Sequence, residues 1–444
     1  MVAGVAVLTA APAFSQISPM GVPTAPTATT QQRPAIQPTP LPPGAGAPGA
    51  VQPGQPQAAP VPPPLPPAMW DVPAALELAT YINSLSAEGL NPADYDAPGL
   101  MTAIQTGNVA LISQAATQRF NSVSTDLALG HVKKPARTAW FLVDGDLNAQ
   151  KQDALMRAAI AQHNVSTTLN GLLPTHPQYA ALKNALAVTP ASDTAKRNRI
   201  RLNLDRWRWL PRELGERYII VNVPGFHATL VENGVNRWKQ RAIAGSVKTP
   251  TPQLSAMAVG VMLNPWWEVP PSISKEVAGK PGYVALKDPK TGKLQRWRQP
   301  PGPSNALGQL KFVMYNPHNI YLHDTNARSR FSSRMRALSH GCIRTENIMN
   351  LATELLGDDR GEWVPEKIQA TLDSKKSVQA NFVKPLPVYI VYFSSAALND
   401  GRIVDYQDLY GRDAKALAAL QMKDGGASLA PPPKPKPVDQ VAAR

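Results

Sequence analysis

The only cysteine of the chain, Cys342, stands in the segment LSHGCIR, between a histidine–glycine pair and an arginine. A thiol becomes a useful nucleophile when a base lies within reach, and seven histidines could supply one. His323, in IYLHDT, has the clearest reading. Strand alternation puts Tyr321 and His323 on one face and Ile320 and Leu322 on the other, so the first pair would face a cleft and the second a core. Gly341 lets backbone approach closely, and amides near 341–343 could stabilise an oxyanion. A helix expected at about 346–356 would bring its N-terminal dipole close to the thiol and favour thiolate. A free cysteine is also commonly buried and inert. The polar neighbours Ser339, His340 and Arg344 argue against that fate, yet side-chain physics alone leaves the two readings nearly even.

Two kinds of element would have to position these residues. From Trp70 to about Leu210 the apolar residues recur at helical spacing, beginning with WDVPAALELATYINSL, where Asp71 can cap and Pro73 fits the first turn. Further helices are expected near 108–129, 148–162 and 177–187. A further one, AKRNRIRLNLDRWRWLP, sets arginines around Leu202, Leu204, Trp207 and Trp209. Such a helix could meet nucleic acid or a lipid face, but docking of its aromatics on the following domain is the favoured reading. From Tyr218 the period becomes two, with an Asn233-Gly234 hairpin turn, strands in AMAVGVMLNPWWEVP, strands on either side of NPHN, and a late strand in LPVYIVYFSS. Ile348, Leu351, Ala352, Leu355 and Leu356 would share one helical face. The expected fold class is therefore multidomain α plus β, a helical domain followed by a mostly β domain carrying one or two helices.

Composition sets the surroundings. The 444 residues are 43% hydrophobic, enough for at least one sizeable core, and the formal charge of +14 favours anionic partners. One cysteine excludes an intramolecular disulfide and any multi-cysteine zinc site. No stretch approaches the ~20 apolar residues that span a bilayer. MVAGVAVLTAAPAFSQ reads as the apolar core of a secretory signal, with small residues at Ala11 and Ala13, or Ala13 and Ser15, marking a cleavage site. Residues 17–68 hold seventeen prolines and one charge, which makes them an extended tether with no core.

The motif pair YLHDT and RALSHGCIR resembles the signature of the L,D-transpeptidase (YkuD-type) catalytic domain: a histidine, about fifteen residues, then Ser/Thr-His-Gly-Cys. The segments NLDRWRWLPRELGERYIIVNVPGF, NPWWEVPPSI and RQPPGPSNALGQLKF are similar to the large periplasmic YcbB-like subgroup, in which a helical scaffold precedes the catalytic part. Arg344, where many smaller members have Asn, agrees with that subgroup. One departure is the interval between the two parts, where only about twenty residues stand in place of the subgroup's peptidoglycan-binding domain.

This resemblance implies a signal-like segment at 1–15, a proline-rich tether at 16–68, a helical scaffold at 69–192 and a basic linker helix at 193–216. A sandwich-type catalytic domain at 217–413 would follow, with a basic lid insertion at about 272–308, then a helix end and proline-rich tail at 414–444. It implies an exported, periplasmic enzyme without metal or cofactor. Cys342 would attack the donor tetrapeptide stem of peptidoglycan, release D-Ala, and pass the acyl group to the diaminopimelate amine of a second stem, giving a 3→3 cross-link. His323 would be base and then acid, with a backbone carbonyl near Asp324 orienting its ring. Tyr321 and the amides of Gly341 and Cys342 would hold the oxyanion, while Ser339 and His340 shape the site. Arg344 would either grip a substrate carboxylate or form a structural ion pair. Carbapenems would acylate the same thiol. The +14 charge then has its target in the stem carboxylates, with nucleic acid the weaker explanation. The same thioester passed to water or a protein lysine, or a non-catalytic wall-binding scaffold, are the alternatives.

Overall fold

The computed structural model describes residues 66–143, 145–359, 361–398 and 402–429. The signal-like segment, nearly all of the tether and the proline-rich tail lie outside the described residues. Seven helices open the described chain: α1 (Val72–Ser84), α2 (Ala97–Gln105), α3 (Val109–Leu129), α4 (Ala149–Ala161), α5 (Val165–Asn170), α6 (Pro177–Val188) and α7 (Thr194–Trp207). Asp71 caps α1 by accepting from the Ala74 amide at 2.8 Å, with Pro73 in the first turn, and asparagines at 108 and 148 cap α3 and α4 in the same way. Periodicity did not mark α2 and α5. Each is short and buries only two residues, Ala97 and Leu100 in one, Val165 and Leu169 in the other, too few to set a period.

Segment 193–216, expected as a basic linker helix, is helical over Thr194–Trp207 and buries most of that helix's second half, while both ends of the segment are exposed. Leu202, Leu204, Trp207 and Trp209 are all buried, so the docking reading of this helix holds. Trp207 stacks between His176 of the helical part (centroids 4.3 Å apart) and Phe393 of the β part (4.6 Å). Arg206 pairs with Asp413 at 2.7 Å, and the fully buried Arg208 donates to the Tyr179 hydroxyl at 2.7 Å and to the Glu88 carbonyl. Asp205 accepts from the amides of His131 and Val132 and from the Trp209 indole at 2.7–3.0 Å. The arginines that gave α7 its nucleic-acid look are thus largely internal partners. Apart from this helix and its following turn, no domain occupies the interval before residue 217.

The β part begins with β1 (Arg217–Asn222), β2 (His227–Glu232), β3 (Val235–Gly245) and β4 (Leu254–Leu263). Asn233 and Gly234 make the β2–β3 turn with φ of 49° and 76°, the left-handed pair that a two-residue hairpin needs. An excursion follows, comprising β5 (Trp267–Glu268), α8 (Ser274–Val277), β6 (Val284–Lys287) and β7 (Leu294–Gln299). The chain then continues through β8 (Leu310–Met314), β9 (Leu322–His323), β10 (Ala337–Ser339), β11 (Ile343–Thr345), α9 (Ile348–Leu356), α10 (Pro365–Asp373), β12 (Val378–Val391) and α11 (Arg412–Leu420). Nine strands form one sheet in the order β10-β3-β11-β9-β8-β4-β12-β1-β2, and β2 also pairs with β3. The sheet therefore rolls up and closes on itself, so the two layers of the expected sandwich are halves of one sheet.

Its interior holds Val261, Phe312, Leu322, Ile343 and Val388, together with the buried α9 face Ile348, Leu351, Ala352, Leu355 and Leu356. The lid expected at 272–308 begins at Trp267 and is more than a loop. It is a three-stranded sheet, β5-β7-β6, with its own apolar cluster of Val269, Ile273 and Val277. No helix among the described residues is long and apolar enough to cross a membrane.

Because Trp207 is shared by the two parts, it should contribute to the stability of both. Trp207→Ala is expected to cost about 3–5 kcal/mol, the range for a buried large aromatic. Urea denaturation of the full chain measures this, and a loss below about 1 kcal/mol would mean that the stack is not a holding contact.

Candidate active site

Strands β9 and β11 are short, parallel neighbours, with Ile343 opposite Leu322 and Arg344 opposite His323. Leu322 and Ile343 are fully buried in the core. The pleat therefore sends Tyr321, His323, Cys342 and Arg344 to the other side, where all four line one cleft of about 280 Å3. Trp267, Ile273, Glu276 and Tyr283 from the β5–β7 excursion form its opposite wall.

The cysteine is held by a turn that leaves β10 at Ser339. The Ser339 hydroxyl donates to the Cys342 carbonyl at 2.6 Å and accepts from the Gly341 amide at 3.1 Å, closing the turn on itself. Gly341 has φ of 120°, where a side chain would be strained, while a Cβ there would meet only ordinary contacts, Ile320 at 3.5 Å and the Thr249 carbonyl at 3.9 Å. Its need for glycine is thus conformational and does not arise from close backbone approach. The Thr251 hydroxyl donates to the Gly341 carbonyl at 2.7 Å, and the Gly245 amide donates to that hydroxyl at 2.9 Å. Tyr410, next to α11, donates its hydroxyl to the Gly245 carbonyl at 2.6 Å, so the turn is anchored into the C-terminal segment.

His323 bonds through Nδ1 to the Asp324 carbonyl at 2.5 Å. A carbonyl only accepts, so the proton sits on Nδ1 and Nε2 keeps a free lone pair. The Asp324 carboxylate turns away to take the Gln309 amide and Arg328. Gly308 makes room for it, since a Cβ there would lie 2.3 Å from that carboxylate.

Burial pushes the Cys342 thiol up to about 11, against the Tyr321 amide and hydroxyl and the charges of Lys311 and Arg344. Burial, then the Arg344 charge, pushes His323 down to about 3. At neutral pH the two are a thiol and an uncharged imidazole. The expectation of a thiolate at a helix N-terminus fails for a local reason: β11 intervenes, and α9 starts only at Ile348. Burial also raises Tyr321 well above an ordinary phenol. The adjoining Cys342 raises it further while Trp267 works against the shift, and the Cys342 Sγ itself donates to the Asn319 carbonyl at 3.5 Å.

Two further expectations change. The Gly341 amide is already spent on Ser339, so it is not free for an oxyanion. Arg344 forms no ion pair among the described residues, and its buried Nε has no partner, which disfavours the structural-pair alternative. His340 is half exposed and meets Glu276 at 3.3 Å across the cleft mouth. Sequence reading missed Lys311, whose backbone pairs with His323 and whose ammonium lies 5.1 Å from the Tyr321 ring centre. The alternation that selected His323 was equally present in LKFVM. Thr251 and Glu276 carried no local signal, because nothing in their own segments reveals which turn or wall they meet.

A family model described as the L,D-transpeptidase catalytic domain matches residues 216–368, and one described as the Scaffold domain matches residues 68–186. A curated Haemophilus influenzae protein, named provisionally as an L,D-transpeptidase, is 25% identical over 382 residues, covering 78% of this chain and 75% of its own. Among solved structures, an L,D-transpeptidase from Mycobacterium smegmatis aligns at 16% identity over 40% of this chain and 58% of that one, with a TM-score of 0.21. A cysteine-to-serine variant of an Enterococcus faecium L,D-transpeptidase aligns at 12% identity over 40% of this chain and 50% of that one, also with a TM-score of 0.21. This chain thus spans 50–58% of the length of those two structures. From the two family matches, the chain carries a Scaffold domain followed by an L,D-transpeptidase catalytic domain of the YkuD type.

Proposed function

We propose that the chain is an exported, periplasmic L,D-transpeptidase that joins peptidoglycan stems by 3→3 cross-links through a thioester on Cys342. The observation that carries this reading is the shared cleft: the chain's single thiol faces it beside a neutral histidine whose proton is fixed on the far nitrogen. His323 Nε2 takes the thiol proton as Sγ attacks the carbonyl on the L-centre of the third donor residue. The Tyr321 hydroxyl and the Cys342 amide stabilise the oxyanion, with the Gly341 amide excluded by its bond to Ser339. The imidazolium then protonates the departing D-Ala amine, leaving the thioester. The acceptor amine attacks that thioester, His323 accepts its proton, the C–S bond breaks, and the thiol is restored. Arg344, lining the cleft without an ion pair among the described residues, is suited to a stem carboxylate.

Incubation with purified tetrapeptide stems tests the reaction. The wild type should release D-Ala and give dimers linked between third residues by mass spectrometry. Cys342→Ala should give neither while its melting temperature stays within a few degrees, because the thiol lies at a turn and fills little core. Dimers from Cys342→Ala at the wild-type rate would overturn the nucleophile assignment.

The protonation states set a pH profile. With His323 near 3 and the thiol near 11, the competent neutral pair is present throughout the interval between them. Alkylation of Cys342 by iodoacetamide should therefore be flat from about pH 5 to about pH 9. His323→Ala should replace the plateau with a rise of roughly tenfold per pH unit, following the thiolate fraction. A wild-type midpoint near pH 6–7 would contradict this arrangement.

A further inference from the structure

The cleft is cationic. Lys280 and Arg344 line it, and Lys311 lies beneath the Tyr321 ring. Glu276 is the one carboxylate among its described lining residues. It stands on the short α8 of the excursion wall and faces His340, two residues before the nucleophile, with its carboxylate 3.3 Å from the His340 Nε2. Both side chains are about half exposed, 46% for His340 and 56% for Glu276, so this contact is solvent-screened and easily exchanged for an incoming cation.

An attacking amine arrives protonated, since an alkylammonium has a pKa near ~10.4. A cleft with this charge balance suits the carboxylates of an acyl donor and repels an ammonium. Building on the transpeptidase reading, we propose that Glu276 is the acceptor-recognition residue. It binds the ammonium of the incoming amine at the cleft mouth and delivers it to the Cys342 thioester. Lys280, on the same wall, takes the carboxylate beside that ammonium, so the preferred acceptor is a zwitterionic amino-acid end. On reaching the thioester the ammonium first gives one proton to solvent. As the neutral nitrogen forms the C–N bond its next proton passes to His323, the C–S bond breaks, and the leaving sulfur takes that proton from the imidazolium. Glu276 exchanges no proton and stays a counter-charge.

Separating donor from acceptor tests this in the full chain. Tetrapeptide stem serves as donor, and tripeptide stem, which has no D-Ala to release, serves only as acceptor. D-Ala release counts every acylation whatever the acceptor; tripeptide-containing dimer reports aminolysis by the added acceptor, and tetrapeptide converted to tripeptide reports hydrolysis. Glu276→Gln is expected to raise the KM for tripeptide about tenfold or more, with a matching shift from dimer to hydrolysed product, while the acylation rate changes by less than about threefold. Glu276→Asp, which keeps the charge, should recover part of the acceptor KM. If acylation and dimer formation fall together in Glu276→Gln, the residue serves only to hold the excursion against His340, and the proposal is overturned. An unchanged product ratio overturns it as well. Absence of D-Ala release from the wild type would instead remove the transpeptidase reading on which the proposal rests.

Discussion

The site depends on one turn being held in a conformation it would not otherwise adopt. Between β10 and β11 the chain must reverse within a few residues and leave a sulfur facing the cleft. It does so through Gly341 at φ of 120°, with the Ser339 hydroxyl clamping the turn from inside and the Thr251 hydroxyl holding its carbonyl from outside. Because Thr251 is in turn tied through Gly245 and Tyr410 to the C-terminal segment, the nucleophile's position is set by parts of the chain far apart in sequence. Arg412 tightens the same anchor. Its guanidinium donates to the Thr251 carbonyl at 2.8 Å and lies over the rings of Tyr392 and Tyr410. The helical part enters this arrangement through α7, whose Arg206 reaches Asp413 and the Ser394 hydroxyl. Scaffold and catalytic parts are consequently one packed body around the C-terminal strand and helix.

Burial sets the chemistry of the pair. Desolvation disfavours both thiolate and imidazolium, and it outweighs the nearby cations that would lower the thiol. A charged pair at rest would have to be held in a low-dielectric cleft at considerable cost. A neutral pair avoids that cost and develops charge only during attack, when the Tyr321 hydroxyl and the Lys311 and Arg344 charges are already in place. The Asp324 carbonyl fixes the imidazole tautomer, and its pull toward the protonated form is outweighed by burial and the Arg344 charge.

What could be read in the sequence followed from periodicity. Alternation in IYLHDT separates Tyr321 and His323 from the core-facing Ile320 and Leu322, and helical spacing marks the buried face of α9. The hairpin at Asn233-Gly234 is a local pattern with one favourable outcome, whereas docking of Trp207 and Trp209 is the favoured one of several readings of a basic helix. The misses were non-local. Cys342 was assigned to a helix N-terminus since the three residues of β11 are too few to show a strand period. The Gly341 amide looked available because its competitor, Ser339 Oγ, reaches it only in a particular turn. The excursion read as a loop through its Pro and Gly content, whereas β5, β6 and β7 pair across intervals that no single window spans.

The most direct test of the account is to catch the covalent intermediate that this geometry is built to form. A donor tetrapeptide whose side-chain amine is blocked by acetylation, quenched in acid within the first turnovers and analysed as intact protein, should add one mass equal to the blocked stem minus its terminal D-Ala. Peptide mapping should place that mass on Cys342 as a hydroxylamine-labile thioester. An adduct on any other side chain, or dimer formation at full rate with no adduct at Cys342, would contradict it.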